Sequence, residues 1–266
     1  KPTITADSSW RQDALLLPGL RIAAVTANIP SDGCRTVAEA GVLYSKALIP
    51  TMPAFRTTPL SFPAMKDLDT LLFKVRSTLG KPRCGSLLMA APFVNDVKFR
   101  HSVVSIIDYV ATEGATGVVL NNPTGYTLAE LLDDESVGGD VPVYRGGPIG
   151  QDRLFFLHNL GTAIIPGARE YSPGMFVGGD FDAVISYLRS GYASDGYIKF
   201  FIGYCSWADG QLENEIGQAH WAILDTLPPS GVLLCGTGDS MWHAMVRRLG
   251  EDYRSWQLVP ANPKAN

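Results

Sequence analysis

Histidine, cysteine and charge are all scarce in this chain of 266 residues, and each shortage removes a class of function. The four cysteines, Cys34, Cys84, Cys205 and Cys235, stand far apart, with no C-x-x-C pair and no histidine at ligand spacing. That excludes zinc-finger and dithiol redox motifs. Cys205 and Cys235 both fall in apolar, strand-like stretches, so buried free thiols in a reducing compartment are expected. No apolar run approaches the roughly 18 to 20 residues that cross a bilayer, and no transmembrane segment is expected. There is no G-x-S-x-G elbow, no P-loop and no complete G-x-G-x-x-G, so the sequence marks no serine hydrolase, nucleotidase or dinucleotide-binding enzyme.

Charged residues make up 18% of the chain and are unevenly placed. Residues 1–84 hold eleven Lys and Arg against six Asp and Glu, a net +5, whereas residues 85–266 hold eleven against twenty, a net −9. Within the acidic part the longest cationic run is Arg247-Arg248. Such a surface repels a phosphate backbone, so nucleic-acid binding is disfavoured.

What is present is enough apolar sequence, 46% of residues, to bury the core of one large domain with an appendage. Residues 1–65 show no sustained periodicity and are interrupted by prolines at 18, 30, 50, 53, 59 and 63, which predicts an irregular cationic extension. Ordering it costs about 1–2 kcal/mol per residue in backbone entropy, so its own domain or a partner must hold it. Residues 66–84 read as a helix and linker: Leu68, Leu71, Leu72, Val75 and Leu79 recur at helical spacing before Gly80 and Pro82 stop them.

The domain spans 85–266. Strands are predicted at 86–90, 102–110 and 116–120 with short antiparallel links, then at 141–144, 154–158, 197–204, 221–224 and 231–235. Helices are predicted at 127–132, opened by a capping box of Thr127 and Glu130, and at 180–189, 211–219 and 239–249. Together these make an α+β (layered α/β) fold, a mixed β-sheet core flanked by helices.

Few residues carry the look of chemistry. His158 ends the "FFLHN" strand beside the "RGGPIG" turn, where a general base and a ring tied to backbone carbonyls are both readings, the second the commoner. "GTGD" at 236–239 has glycines before a helix, with Asp239 as its N-cap, and reads mainly as a turn. The carboxylates Asp133, Asp134 and Glu135 read as solvated. In "GYCSWADGQLENEI", residues 203–216, Trp207 closes a strand, Gly210 caps a helix, and Glu213 at N3 is placed to bond back to the Gly210 amide. Gln211 is left as the polar candidate, near His158 if the sheet brings the two strand ends together.

Four blocks in order, "GSLLMAAPFVNDVKFRHSVVSIIDY", "GATGVVLNNP", "VYRGGPIGQDRLFFLH" and "GYCSWADGQLENEI" followed by Trp221, resemble the YqgE/AlgH family (UPF0301, DUF179) from Gly85 to about Gly250. The resemblance implies a compact α/β domain on a β-rich core, with a proposed role in bacterial alginate regulation but no established activity or catalytic set. Two positions depart from the family pattern: Cys205-Ser206 replaces a small Ala-Gly pair, which would narrow a pocket needing close backbone approach at 206, and Asp108-Tyr109 replaces a Glu-His.

The expectation is therefore a non-catalytic accessory or interaction protein, an AlgH-like domain anchored by residues 1–65 in a larger assembly such as an organellar photosynthetic complex. No catalytic residue, metal ligand set or cofactor is assigned. The first alternative is a small-ligand-binding protein or enzyme using Asp96, Asn121, Gly146, Gly147, His158 and Gln211; the second, from family naming, is a transcriptional regulator. Family distribution, the extension and a first residue that is not Met point to a plastid ahead of a mitochondrion, with the bacterial cytoplasm as the alternative.

Overall fold

The computed structural model describes Leu15–Leu16 and residues 80–260, apart from Asn95, Gly138, Gly139 and Asp225. The predicted helix at 66–79 and all of the extension except β1 (Leu15–Leu16) lie outside the described residues. Strands β2 (Leu87–Ala90), β3 (Val103–Val110) and β4 (Gly114–Val119) are rich in β-branched and aliphatic residues and pair antiparallel in sequence order. Next come β5 (Pro123–Thr127), helix α1 (Leu128–Leu132) and β6 (Pro142–Arg145). The predicted capping box is present: Thr127 accepts from the Glu130 amide while Glu130 accepts from the Thr127 amide.

Strands β7 (Ile149–His158), β8 (Arg169–Ser172) and β9 (Met175–Val177) precede α2 (Phe181–Arg189), whose N-cap Asp180 accepts from the Asp182 and Ala183 amides. The chain ends with β10 (Ile198–Trp207), α3 (Gln211–Gly217), β11 (Trp221–Leu224), α4 (Ser230–Cys235), α5 (Gly238–Leu249) and a 3-10 helix over Glu251–Leu258.

The strands form a mixed sheet ordered β11-β2-β3-β4-β10-β7-β9-β8, with β6 parallel to β10 and β5 beyond it. Strand β10 joins the two halves. Up to Ile202 it pairs with β7 and β6; after a register shift at Gly203, Tyr204 still pairs with Ile149 of β7, and Cys205, Ser206 and Trp207 pair with β4. The sheet curls so that Leu87, Met89, Phe155, Leu157 and Phe201 from both halves share one core with Trp242 and Trp256. At the seam Ile107 sits at a bulge in β3, and its carbonyl accepts the Cys84 thiol and the Arg169 guanidinium. On the outer faces Val184, Ile185 and Leu188 of α2 cover Leu154, Phe156 and Phe200, and Leu212 of α3 covers Leu88 and Val104. Each such buried side chain stabilises the fold by about 1.5–3 kcal/mol.

Two expectations change. Residues 231–235 are helical, not a strand: Pro229 sets up one and a half turns in which Leu233 and Leu234 face the core. Cys235 is accordingly exposed, while Cys205 is buried as expected. Strands β5, β8 and β9 are additions that the pattern of the sequence did not mark.

Candidate functional site

The "GYCSWADGQLENEI" stretch is a closed polar knot. Gly210 takes a left-handed conformation (φ 67°) and lets the chain turn from β10 into α3. Gln211 then closes the turn, accepting the Ala208 amide at 3.0 Å and donating to Glu215 at 2.9 Å. Glu215 also accepts the indole N–H groups of Trp207 (2.9 Å) and Trp221 (2.8 Å). Glu213 does not bond back to the Gly210 amide; it accepts the Tyr109 hydroxyl at 2.6 Å, joining α3 to β3.

Gly146 and Gly147 are spacing residues. A Cβ on Gly146 would lie 2.2 Å from the Gly203 carbonyl oxygen, and one on Gly147 would lie 2.1 Å from the Tyr204 carbonyl carbon. The turn thus lies backbone against backbone on the β10 bulge. Beside it Thr124, Tyr126, Arg145, Gln151 and Ile202 line a cavity of about 10 Å³, room for a single water. Ser206 points to solvent opposite Thr116, so it narrows no pocket.

His158 is fully buried, and both ring nitrogens meet the backbone: Nδ1 accepts the Leu160 amide at 3.3 Å and Nε2 donates to the Gly178 carbonyl at 3.2 Å. Burial pushes its pKa down to about 4. His158 pairs with Ile198 at the start of β10, whereas Gln211 lies beyond Trp207 at its end. At about 3.3 Å per residue the strand separates them by roughly 30 Å, so they do not share a site. Asp96 is exposed and accepts the Lys98 amide at 2.9 Å in a local turn.

Asn121 stands in a different setting. Its amide nitrogen donates to the His101 and Gly238 carbonyls, both at 2.8 Å, and its side-chain oxygen accepts the Val103 amide at 2.9 Å. It therefore clamps the loop before β3 to the first turn of α5. On the other side of that turn the buried Lys199 donates to the Gly236 carbonyl, its ammonium 4.0 Å from the centre of the Tyr144 ring. Burial lowers the Lys199 pKa to about 7.

Between these clamps lie three side chains that the sequence reading did not select. Asp239 is in the first turn of α5, not at its N-cap, which is Thr237. One carboxylate oxygen meets Nδ1 of His101 and the other lies 3.1 Å from Nε2 of His243, one helical turn along. The donor atoms of all three residues lie within 4.8 Å of one another. His101 is 3% exposed, stacks on Trp242 at 3.7 Å between ring centres, and has a left-handed backbone (φ 51°) held through its carbonyl by Asn121. Burial lowers its pKa, opposed by the Asp239 hydrogen bond, and its Nε2 is buried without a hydrogen-bond partner among the described residues. Asp239, at 43%, opens the group to solvent. The legible signal was the Asp239 to His243 spacing, which puts both on one helix face; His101, 138 residues before Asp239, gave none.

Comparison with known proteins gives one consistent result. A family model described as AlgH-like (DUF179) matches residues 87–254. A UPF0301 protein of Parabacteroides distasonis is 36% identical over 195 residues, which cover 73% of this chain and 97% of that relative. One from Bacteroides thetaiotaomicron is 34% identical over 200 residues, covering 75% and 100%. Among solved structures, the AlgH protein of Pseudomonas aeruginosa has a TM-score of 0.51 at 27% identity, covering 65% of this chain and 93% of its own. A Corynebacterium diphtheriae protein, with a TM-score of 0.55 at 20% identity over 67% of this chain and 93% of its own, shares the fold.

Proposed function

The chain belongs to the AlgH-like DUF179 family, and from that premise we propose that it is an accessory protein: an AlgH-like domain that engages a protein partner through its N-terminal arm. The observation that carries this reading is β1, where Leu15 and Leu16 pair antiparallel with Leu154 and Arg153 of β7, so the arm meets the sheet by strand addition. Two further facts support it. The Parabacteroides relative is covered almost whole by 195 residues, leaving 71 of the 266 outside the shared part. The family's signature residues Gly146, Gly147, Trp207, Gln211, Glu215 and Trp221 are occupied in holding the fold.

The setting proposed with it is a plastid, at the soluble face of a membrane-bound complex; the arm supports that setting, while bacterial relatives such as those of Parabacteroides and Chlorobium support a bacterial cytoplasm. Among the described residues no helix is long and apolar enough to cross a membrane. The −9 of residues 85–266 opposes the third reading, a transcriptional regulator. The test compares affinity capture by the full chain and by a chain lacking residues 1–65, in extracts of the source cells. A defined partner set lost with the arm is expected; an unchanged set ends the proposal. Fractionation of the same cells decides the compartment.

A further inference from the structure

We propose that His101, Asp239 and His243 form a binding site for a single divalent first-row transition ion, zinc being the ion the donor set suits best. This inference is independent of the arm and its partner.

Two imidazole nitrogens and one carboxylate are the donors that zinc takes at sites with three protein ligands and one open position. Calcium and magnesium favour six or more oxygens and find a single carboxylate here. The geometry is already gathered, with the three donor atoms within 4.8 Å of one another. Asp239 and His243 come from successive turns of one helix face, so α5 fixes their spacing.

His101 meets them with a left-handed backbone, an unfavourable state for a residue with a side chain, and Asn121 holds it there by donating both to the His101 carbonyl and to the Gly238 carbonyl of α5. The Trp242 ring, fully buried and stacked on His101, walls one side. The half-exposed Asp239 leaves the other side to solvent, where a fourth ligand, a water or a substrate atom, can enter.

One detail sets the strength. With the ion on Nδ1 of His101 the ring proton must sit on Nε2, which has no acceptor among the described residues. Strong sites supply one, and its absence costs about 10- to 100-fold in affinity. The site is therefore expected to bind zinc well below the affinity of a structural zinc finger.

The experiment uses the full chain stripped with a chelator. Zinc titrated into it by calorimetry should bind at one ion per chain, and cobalt or nickel should quench tryptophan fluorescence through Trp242. Asp239→Asn and His243→Gln lie at solvent-reaching positions, and their thermal unfolding midpoints are measured first to show that each variant folds. Each should lose zinc affinity by more than about 100-fold, beyond what an outer partner contributes, and should lose the rise in midpoint that zinc gives the parent. Cys235→Ser, which removes an exposed thiol that is not among the three grouped donors, should leave zinc binding unchanged. Failure of the parent to bind zinc at millimolar excess would overturn the proposal. So would binding retained by both cluster variants, or binding lost in Cys235→Ser.

Discussion

Glu215 and Asp239 each gather two aromatic ring nitrogens, and the difference between them lies in what those nitrogens can do. Glu215 accepts from the indoles of Trp207 and Trp221, rings that are 5% and 4% exposed. An indole N–H only donates, so that carboxylate can hold a strand end to a helix and nothing else. Asp239 meets the imidazoles of His101 and His243, whose nitrogens exchange a proton for a lone pair. Glu215 takes both indoles on one oxygen and the Gln211 amide on the other, whereas Asp239 gives one oxygen to each imidazole: the first carboxylate is a fastener, and the second meets groups that can exchange. Family signatures attach to the fastener, which is why a motif rich in reactive residue types need not mark chemistry.

The largest test of that contrast is Glu215→Ala. It strips two buried indoles and the Gln211 amide of their acceptor, and a loss of about 3 kcal/mol in urea unfolding is expected; a loss below about 1 kcal/mol would break the contrast.

Next is acid. His158 has backbone partners on both nitrogens and no carboxylate, so a second proton has no place. Its folded pKa, about 4, lies below the ordinary 6.5. Between those values the unfolded chain binds more protons, so stability is full above pH 6.5 and is lost as pH falls towards 4, by about 2–3 kcal/mol. Unfolding midpoints across that window should fall steeply in the parent and much less in His158→Phe.

A smaller effect is expected from Asp239→Asn, about 1 kcal/mol, because His243 can turn to water and the oxygen of an Asn amide can still accept from the buried His101 ring. His243→Gln should change stability by less than about 0.5 kcal/mol, since the ring is 23% exposed. A cost above about 2 kcal/mol for either would make the Asp239 region a second fastener.

What could be read from the sequence was what is local. The capping box at Thr127 and Glu130 and the apolar face of α2 each depend on residues within a turn or two of one another. Residues 231–235 misled because a glycine and four apolar residues fit a buried strand and a short helix equally well, and the Pro229 that starts α4 bounds either. Glu213 found Tyr109, 104 residues before it, in place of the adjacent amide. Of the site, Asn121 was legible only through the family pattern, and Asp239 and His243 only as a spacing on one helix face. The joining of His101 to Asp239 is made by the sheet and by Asn121 itself, a tertiary fact with no local trace.

The two-residue strand β1 covers β7 at Arg153 and Leu154, just before β9 takes over at Leu157. Bare hydrogen-bonding edges recruit strands from other chains. Molecules shortened at the N-terminus would therefore present β7 with an open template, and their first failure on storage would be slow edge-to-edge self-association, beginning while the domain is still folded.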